Sequence, residues 1–509
     1  MARVTVAAGS QLAADAGAAI ADAGGNAIDA AVASVLTTVC TDPGIVAPGA
    51  CGFVALHPAD GEALLIDGYA EMPGRSASPG AFGSGRPVRL AYGGGVDTVV
   101  GYGSAAVPGI YAALEEAWRR HGRLPWATLF EPAIAAVEAG FPLSEPAAEY
   151  LHYAHEAVFG WQAESWAVLH NADGTSLRAG AMVTVPHLAD TLRLLADQGA
   201  DALYRGDLGD AIANAVAADG GLLGRDDLAA YRAEPRRPVR FRLGSWEVDT
   251  NPAPAVGGST MAAVAMLALS AGWSGWSAAD VVTLVRSQRA VLDYRRRRLS
   301  APDEITPNIA ELLDAARLGD LGRVVSSPST SHCSTADTDG NVCAVTVSAG
   351  YGSGAMPPGT GFWLNNSLGE LELHPTGYHG LAPGTRLVSN MAPTTARRPG
   401  TALAIGSAGA DRITTTLSAI LLNFLVLDLP LQAALHHPRL HVEVFDGREV
   451  IAYEPGTPVE SVDGLGLRPF APMSMYFGGA QAALTAATDG PLGVADPRRA
   501  GGVATGGLS

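Results

Sequence analysis

Two alternating segments joined by Asp339-Gly340 are the feature that most constrains how this chain can fold. Hydrophobic and polar residues alternate over HCSTADTDGNVCAVTVSAG, residues 332–350, on both sides of that dipeptide. Asp-Gly between two such runs is a strong signal for a tight β-hairpin. Serine and threonine crowd the start of the first run, at positions 326, 327, 329, 330, 331, 334 and 335. The sequence therefore predicts a hydroxyl-rich segment that leads into a hairpin strand.

The crowded hydroxyls allow two interpretations, a polar loop or a nucleophile. A hydroxyl attacks poorly unless a base takes its proton, and His332 is one base close in sequence. A second solution needs no side-chain base, because a chain cut directly before a threonine gains an α-amino group beside that hydroxyl. Such an amine titrates near neutral pH and suits a general base. A polar linker, whose hydroxyls bond the local backbone, is the alternative.

Length, charge and missing motifs exclude several functions. The chain has 509 residues, enough for up to three average domains or one large one. Its formal net charge of −17 argues against nucleic acid and anionic membrane as partners, because both require a basic surface. No GxSxG elbow and no P-loop occur. The clustered histidines, at 152 and 155 and at 436, 437 and 441, lack acidic or cysteine ligands at metal spacing, so we expect no metal and no cofactor.

Cysteine usage and the terminal sequence predict a cytoplasmic location. The four cysteines form no CxxC pair and no dense framework, which predicts free thiols in a reducing compartment. The N-terminal MARVTVAAGSQLAAD has no apolar run of the kind found in secretory signals. The longest uncharged stretch, roughly 259–279, is better explained by a short buried helix than by a membrane span.

Periodicity predicts a mixture of helix and sheet. Helices are expected at 11–22, 26–39 and 413–427, and residues 110–230 are expected to be mostly helical. Strands are expected at 4–8, twice within 52–71, twice within 238–258, and at 361–365, 401–406 and 447–453. Because helices dominate the first two thirds and strands return repeatedly, α+β layers are favoured over an alternating parallel sheet.

The hydroxyl-rich hairpin also carries a family resemblance. TSHCSTADTDGNVCAVTVS resembles the segment that opens the small subunit of γ-glutamyltranspeptidases. Five motifs resemble the large subunit of that family: GGNAIDAAVAS, PGACGFVALH, VPGIYAAL, GGLLGRDDLAAYRAE and PAPAVGG. Four more resemble the small subunit: GFWLNNSLGE, VSNMAPT, GSAGADRITTT and ADPRR. The motifs occur in the family's order and extend over nearly the whole chain.

The resemblance implies a fold and a reaction. The family is a branch of the N-terminal nucleophile hydrolases, so we expect a four-layer αββα sandwich. One self-cleavage would separate a large subunit, 1–329, from a small subunit, 330–509, which together form one αββα domain. Thr330 would then form an acyl-enzyme from a small-molecule amide and pass the acyl group to water or to an amine. A homodimer of the processed heterodimer is one assembly compatible with this organisation.

The resemblance also implies roles for single positions. Ser348 stands where the family has a second threonine that contacts the nucleophile. Gly409 and Ala410 stand at paired glycines whose backbone N–H groups form the oxyanion hole. Four further residues stand at substrate-binding positions of the family: Ser367, Glu370, Ser389 and Asn390.

Several substrate-binding positions depart from the family: Asn390 replaces a serine, Ser367 a glutamine and Glu370 an aspartate. The largest departure lies at Ala70. In DGYAEMP, 67–73, Ala70 stands where an arginine normally holds the substrate α-carboxylate by a charge-assisted fork. Arg75 is a candidate replacement. The main hypothesis is therefore a self-processing amide hydrolase or acyltransferase with altered acyl specificity. The alternatives are a true γ-glutamyltransferase or glutathione hydrolase, and a non-catalytic relative that never processes.

Overall fold

The computed structural model describes residues 2–78, 83–91, 95–299, 302–318, 330–374, 377–410, 412–487 and 490–507. The strands in these ranges are β1 (Val4–Ala8), β2 (Cys51–His57), β3 (Leu64–Gly68), β4 (Arg86–Leu90), β5 (Val96–Val100), β6 (Phe141–Pro142), β7 (Met182–Val183), β8 (Glu234–Arg236), β9 (Val239–Leu243), β10 (Trp246–Thr250), β11 (Ser331–Asp337), β12 (Val342–Ser348), β13 (Thr394–Arg398), β14 (Thr401–Ser407), β15 (Leu440–Phe445), β16 (Arg448–Tyr453), β17 (Gly466–Pro469), β18 (Ala480–Ala486), β19 (Leu492–Ala495) and β20 (Gly502–Gly506). The α-helices are α1 (Gln11–Asp22), α2 (Ala27–Thr41), α3 (Ile110–His121), α4 (Glu131–Ala139), α5 (Glu145–Phe159), α6 (Ala163–Leu169), α7 (Leu188–Gln198), α8 (Asp201–Tyr204), α9 (Asp207–Ala218), α10 (Arg225–Ala230), α11 (Gly257–Ser270), α12 (Ala278–Arg298), α13 (Pro302–Leu318), α14 (Arg412–Leu421) and α15 (Leu431–His436).

Two large antiparallel sheets form the centre of the molecule. One has the strand order β20-β1-β11-β12-β2-β3-β8 and the other β19-β18-β14-β13-β10-β9. β11 and β12 are the hairpin predicted from Asp339-Gly340, and Gly340 has a φ of 95° that favours glycine in the turn. The two strands expected within 52–71 are present as β2 and β3, which pair with each other in antiparallel orientation. The hydroxyl-rich strand β11 therefore lies inside a sheet, between β1 and β12.

Helices cover the outer face of each sheet. α1 and α2 pack on the first sheet through β1, β11 and β12, and α11 and α14 pack beside the second. The inner faces of the two sheets meet through a cluster rich in small side chains, among them Ala55, Ala344, Ala404 and Ala483. Small side chains allow the sheets to approach closely. These four layers confirm the expected αββα sandwich.

Alternation along β12 divides its side chains between two cores. Val342 and Ala344 belong to the cluster between the sheets, whereas Cys343 and Val345 belong to the core shared with the helices of the first sheet. Successive side chains of a strand point to opposite faces. The last residue of the strand, Ser348, therefore faces the second sheet.

The prediction of a strand at 361–365 is wrong. In the described chain this segment makes only an isolated bridge between Leu364 and Gly49. Side chains bond the backbone locally instead: Thr360 Oγ1 accepts the N–H of Phe362 at 3.1 Å, and Asn365 Oδ1 accepts an N–H two residues on. Such local hydrogen bonds offer the backbone an alternative to a sheet ladder.

The apolar segments and the cysteines have the expected structures. The helix expected at 413–427 is α14 followed by a π-helical turn, Leu422–Val426. All four cysteines lie in the described ranges, where they are buried free thiols. Within those ranges, no helix combines the length and the apolar character that crossing a membrane requires.

Candidate functional site

Thr330 lies at the head of the buried central strand. β11 pairs with β12 in a register that sets Ser331 opposite Val347, and extending this register by one residue places Thr330 opposite Ser348. Ser348 pairs in turn with Cys51 at the start of β2. Thr330 is 2% exposed and Ser348 is 3% exposed. Two hydroxyls and one thiol therefore lie in a row across three strands. Residues 319–329, which precede the expected cleavage point, lie outside the described residues.

The Ser348 hydroxyl also has a local partner. Gly350 donates its N–H to Ser348 Oγ at 3.1 Å, and Gly350 has a φ of 61°. A serine hydroxyl can accept one hydrogen bond and donate another. Accepting this N–H is therefore compatible with an orienting role towards Thr330.

A small cavity borders Thr330 where the strand begins. Asp42, Ala408 and Arg499 also line it. Arg499 donates to the carbonyl oxygen of Thr330 at 3.3 Å. Burial raises the pKa of the Asp42 carboxyl to about 6, against the opposing effects of the Ser144 hydrogen bond and the Arg499 charge. The cavity thus sets a titratable carboxyl and a guanidinium at the same end of the strand as the predicted nucleophile.

His332, the base nearest in sequence, is enclosed in its own hydrogen-bond network. Its two ring nitrogens each lie 2.8 Å from a hydroxyl, that of Thr346 and that of Ser334, and the backbone of Gly406 packs against the ring. Complete burial lowers the pKa of the imidazole to about 3. Because both nitrogens are engaged, the imidazole is a bridge within the sandwich and does not favour proton transfer from Thr330.

Gly409 and Ala410 form a turn between β14 and α14. Both have positive φ, 122° and 58°, so this alanine adopts the backbone conformation that the turn requires. Their carbonyl oxygens accept the N–H groups of Arg412 and Ile413 at 3.1 and 3.2 Å. In the part of the chain that the structure describes, neither Gly409 nor Ala410 donates its own N–H to an acceptor. Buried N–H groups are almost always paired, so two unpaired ones before a helix form a site suited to a negative oxygen.

The Cys51 thiol links this row to two predicted substrate-binding residues. Cys51 Sγ lies 3.7 Å from the carbonyl oxygen of Val107. Burial raises the pKa of the thiol to about 12; the adjacent Ser367 hydroxyl and the Arg386 charge lower it, and the Glu370 charge raises it. Glu370 is itself buried, with 4% of its surface exposed. Ser367 and Glu370 therefore lie near the row that Cys51 shares with the nucleophile.

Ser389 and Asn390 lie next to the same inter-sheet cluster. The hydroxyl of Ser389 accepts the N–H of Met391 at 3.2 Å, and Met391 belongs to the cluster that also contains Cys51 and Ala70. The buried side-chain oxygen of Asn390 has no hydrogen-bond partner among the described residues. An unpaired buried oxygen of this kind is an acceptor available to a ligand N–H.

The position of the missing arginine is closed by protein contacts. Ala70 is fully buried, and its carbonyl oxygen accepts the N–H of Leu387 at 2.9 Å. The candidate replacement, Arg75, pairs with Glu71 at 3.3 Å, and its guanidinium lies against Gly384. Arg75 is therefore engaged by the protein itself.

Sequence reasoning missed Arg386, a buried arginine beside the same segment. Its guanidinium donates to the carbonyl oxygen of Tyr69 at 2.5 Å and to the hydroxyl of Tyr231, and it lies 3.6 Å from the carboxylate of Glu71. Arg386 is the only arginine in 370–389, which is the signal that would have found it. Its hydrogen bonds hold the segment around Ala70 in place.

The sequence matches known enzymes along most of its length. A family model described as Gamma-glutamyltranspeptidase matches residues 13–506. The glutathione hydrolase proenzyme of Pseudomonas aeruginosa is 29% identical over 475 residues, which cover 86% of this chain and 83% of that protein. The acylase ACY 1 proenzyme of Pseudomonas sp. (strain SE83) is 31% identical over 463 residues, which cover 85% of this chain and 81% of that protein.

Solved structures show the same fold. Cephalosporin acylase from Bacillus halodurans has a TM-score of 0.81 at 26% identity, covering 99% of this chain and 96% of that chain. A γ-glutamyltranspeptidase from Pseudomonas nitroreducens complexed with L-DON has a TM-score of 0.52 at 30% identity, covering 62% of this chain and 92% of that chain. The relatives are enzymes, which removes support from the non-catalytic alternative. The chain belongs to the gamma-glutamyltranspeptidase family and is an amidohydrolase or acyltransferase of that type.

Proposed function

We propose that the chain is a self-processing amide hydrolase in which Thr330 becomes the N-terminal nucleophile. The observation that carries the proposal is the position of Thr330, buried at the head of β11, opposite Ser348 and at a cavity that Ala408 also borders. The turn that follows Ala408 holds the two unpaired N–H groups. Two relatives are named proenzymes, which supports processing.

Self-cleavage would proceed by an N-to-O acyl shift. Thr330 Oγ attacks the carbonyl carbon of residue 329, the C–N bond breaks, and the acyl group moves to the threonine oxygen as an ester. Water then hydrolyses the ester, which leaves a carboxylate on residue 329 and a free α-amine on Thr330. The two subunits stay together because β11 and β12 pair with β1 and β2 of the large subunit.

The mature enzyme would then use the new amine as its base. The α-amino group of Thr330 takes the hydroxyl proton as Oγ attacks the substrate amide. The N–H groups of Gly409 and Ala410 stabilise the oxyanion, and one such donor is worth about 10²–10³ in rate. The α-ammonium group then gives its proton to the nitrogen of the substrate amide, the C–N bond breaks, and the amine product leaves. Water or an acceptor amine finally attacks the acyl ester on Thr330. Ser348 orients the hydroxyl throughout.

We further propose that the preferred acyl group is not γ-glutamyl. Arg75 and Arg386 both face Glu71, and Ala70 carries no charge. A substrate α-carboxylate would enter without a charge-assisted partner, which costs roughly 1.5–3 kcal/mol, or about ten- to a hundredfold in binding. The 31% identity to an acylase proenzyme supports a different acyl group, with Ser367, Glu370, Ser389 and Asn390 as the residues that contact it.

Glutathione hydrolysis is the second candidate function, and the match to a glutathione hydrolase proenzyme favours it. The two candidates differ in their response to the α-substituents of the acyl group. Kinetics with γ-glutamyl, glutaryl and butanoyl 4-nitroanilides would compare them directly. We expect a low kcat/KM for the γ-glutamyl compound. Efficient, saturable cleavage of glutathione at micromolar concentration would establish the second candidate instead.

Trapping the acyl-enzyme tests the role of Thr330. Processed protein mixed with the anilide that it cleaves fastest, and then quenched in acid, should carry the acyl mass on the peptide that begins with Thr330. An acyl group on another residue would refute Thr330 as the nucleophile.

A further inference from the structure

The turn that contains the unpaired N–H groups of Gly409 and Ala410 packs against a second turn. The oxyanion turn, residues 408–410, follows β14, and the bracing turn, residues 476–479, precedes β18. β14 and β18 are paired strands, and their ladder continues one residue beyond both, because the N–H of Ala408 donates to the carbonyl oxygen of Gly479 at 3.1 Å. The two turns are therefore an extension of one ladder.

Only glycine fits where this ladder ends. The register of the two strands sets Gly409 opposite Gly478, which has a φ of 77°. A Cβ on Gly478 would lie 1.9 Å from the carbonyl oxygen of Ala408, and a Cβ on Gly409 would lie 2.8 Å from the Cα of Gly478. Both distances are far below van der Waals contact. Neither position can carry a side chain unless the oxyanion turn moves.

The carbonyl oxygen of Ala408 matters because it shares a peptide group with the N–H of Gly409. A peptide group is planar and rigid, so turning the oxygen turns the N–H by the same angle. Steric pressure from position 478 would thus be passed directly to the first of the two unpaired N–H groups.

The bracing turn is itself held firmly. Arg412 Nε donates to the carbonyl oxygen of Tyr476 at 2.9 Å. Thr416 Oγ1 and Arg439 Nη1 both donate to the carbonyl oxygen of Phe477, at 2.9 and 3.1 Å. Because three side chains donate hydrogen bonds to two consecutive carbonyl oxygens, the bracing turn is held in position where it packs against the oxyanion turn.

We propose that Gly478 is a positioning residue for acyl transfer, whose bare Cα lets the Ala408–Gly409 peptide point its N–H at the oxyanion formed when Thr330 attacks an amide. The inference rests on the proposed function, because it assigns the oxyanion to the Gly409 N–H. Gly478 acts through that peptide and does not touch the substrate.

Gly478→Ala in the full chain tests this role, with Gly464→Ala as the matched control. Gly464 has a φ of 80°, and a Cβ built there meets no atom within 4 Å. Both variants place an alanine at positive φ, but only Gly478→Ala displaces the Ala408 carbonyl. We expect Gly478→Ala to lower kcat by about 10²-fold while KM changes less than about threefold.

A tetrahedral inhibitor separates positioning from general loss of structure. A boronic acid analogue of the acyl group forms a tetrahedral adduct on the nucleophile, whereas the carboxylic acid product binds without one. In Gly478→Ala the inhibition constant of the boronate should rise in step with the fall in kcat, and that of the carboxylic acid should stay constant. Gly464→Ala should match the parent in both.

The outcomes separate this inference from the proposed function. An active parent with unchanged kcat in Gly478→Ala, or with equal weakening of both inhibitors, would overturn the inference alone. A processed parent that cleaves no amide would overturn the proposed function and the inference with it. If Gly478→Ala does not fold or does not process, Thr416→Val decides: loss of the Phe477 hydrogen bond should lower kcat about three- to tenfold at constant KM, and an unchanged kcat would refute the role.

Discussion

Ser348→Ala should damage both self-cleavage and turnover. The substitution removes the hydroxyl that the register of β11 and β12 places opposite Thr330. It also removes the acceptor of the Gly350 N–H, at 3.1 Å. The first loss acts on the rate and the second on stability, so the two effects have to be measured apart.

The structure gives a magnitude for each effect. Losing the hydrogen bond between the Gly350 N–H and Ser348 Oγ costs about 0.5–1.5 kcal/mol of the free energy of unfolding. If Ser348 holds the hydroxyl of Thr330 in its attacking position, the rate should fall about 10- to 1000-fold, the range seen when one orienting or stabilising contact is lost. That fall corresponds to roughly 1.4–4 kcal/mol in the activation free energy.

Ser353→Ala is a control for the loss of the same kind of backbone acceptor. Ser353 Oγ accepts the N–H of Ala355 at 3.0 Å, the same two-residue spacing that joins Ser348 to Gly350. The fully buried Ser353 hydroxyl also donates to the carbonyl oxygen of Leu364 at 2.6 Å. Both variants should show a lowered thermal unfolding midpoint. Only Ser348→Ala should slow the appearance of two chains on a denaturing gel and lower kcat for an amide.

Ser348→Thr provides the rescue, because it keeps a hydroxyl on the same β-carbon. We expect it to process and turn over near the parental rate. Normal processing and turnover in Ser348→Ala, with a loss of stability as in Ser353→Ala, would reduce Ser348 to a residue that bonds the local backbone and would refute the orienting role.

A further prediction follows from the buried imidazole of His332. Because burial lowers the pKa of His332 to about 3, from an ordinary value near 6.5, the unfolded chain binds a proton that the folded chain excludes between these values. The free energy of unfolding should therefore fall by about 2–3 kcal/mol through this residue as the pH drops from about 7 to 4.5. Urea unfolding of Thr330→Ala, which should remain a single chain, measures this fall. The double variant Thr330→Ala/His332→Gln should lack the contribution of His332.

Local signals made much of the fold predictable. Asp339-Gly340 predicts its hairpin because the turn chemistry and the two-residue repeat act over a few neighbouring residues. The segment 361–365 has a similarly apolar pattern, yet it is not a strand because the side chains of Thr360 and Asn365 bond the backbone locally. Hydrophobic pattern alone cannot register that competition.

Only the site residues that lie within sequence motifs could be predicted from the sequence. The motifs TSHCSTADTDGNVCAVTVS and GSAGADRITTT identify Thr330 and Gly409. The position of Cys51 beside Ser348 depends instead on pairing between β2 and β12, which are far apart in sequence. The same holds for the contact of Gly478 with Gly409. No local pattern encodes such contacts, because they arise only when distant strands pair.

The N-terminal sequence of the purified small subunit tests the central claim most directly. Active protein should separate on a denaturing gel into residues 1–329 and 330–509, with Thr330 as the new N-terminus, and Thr330→Ala should remain one chain because the attacking hydroxyl is gone. A single intact chain from active protein, or a new N-terminus at a neighbouring serine, would contradict the account.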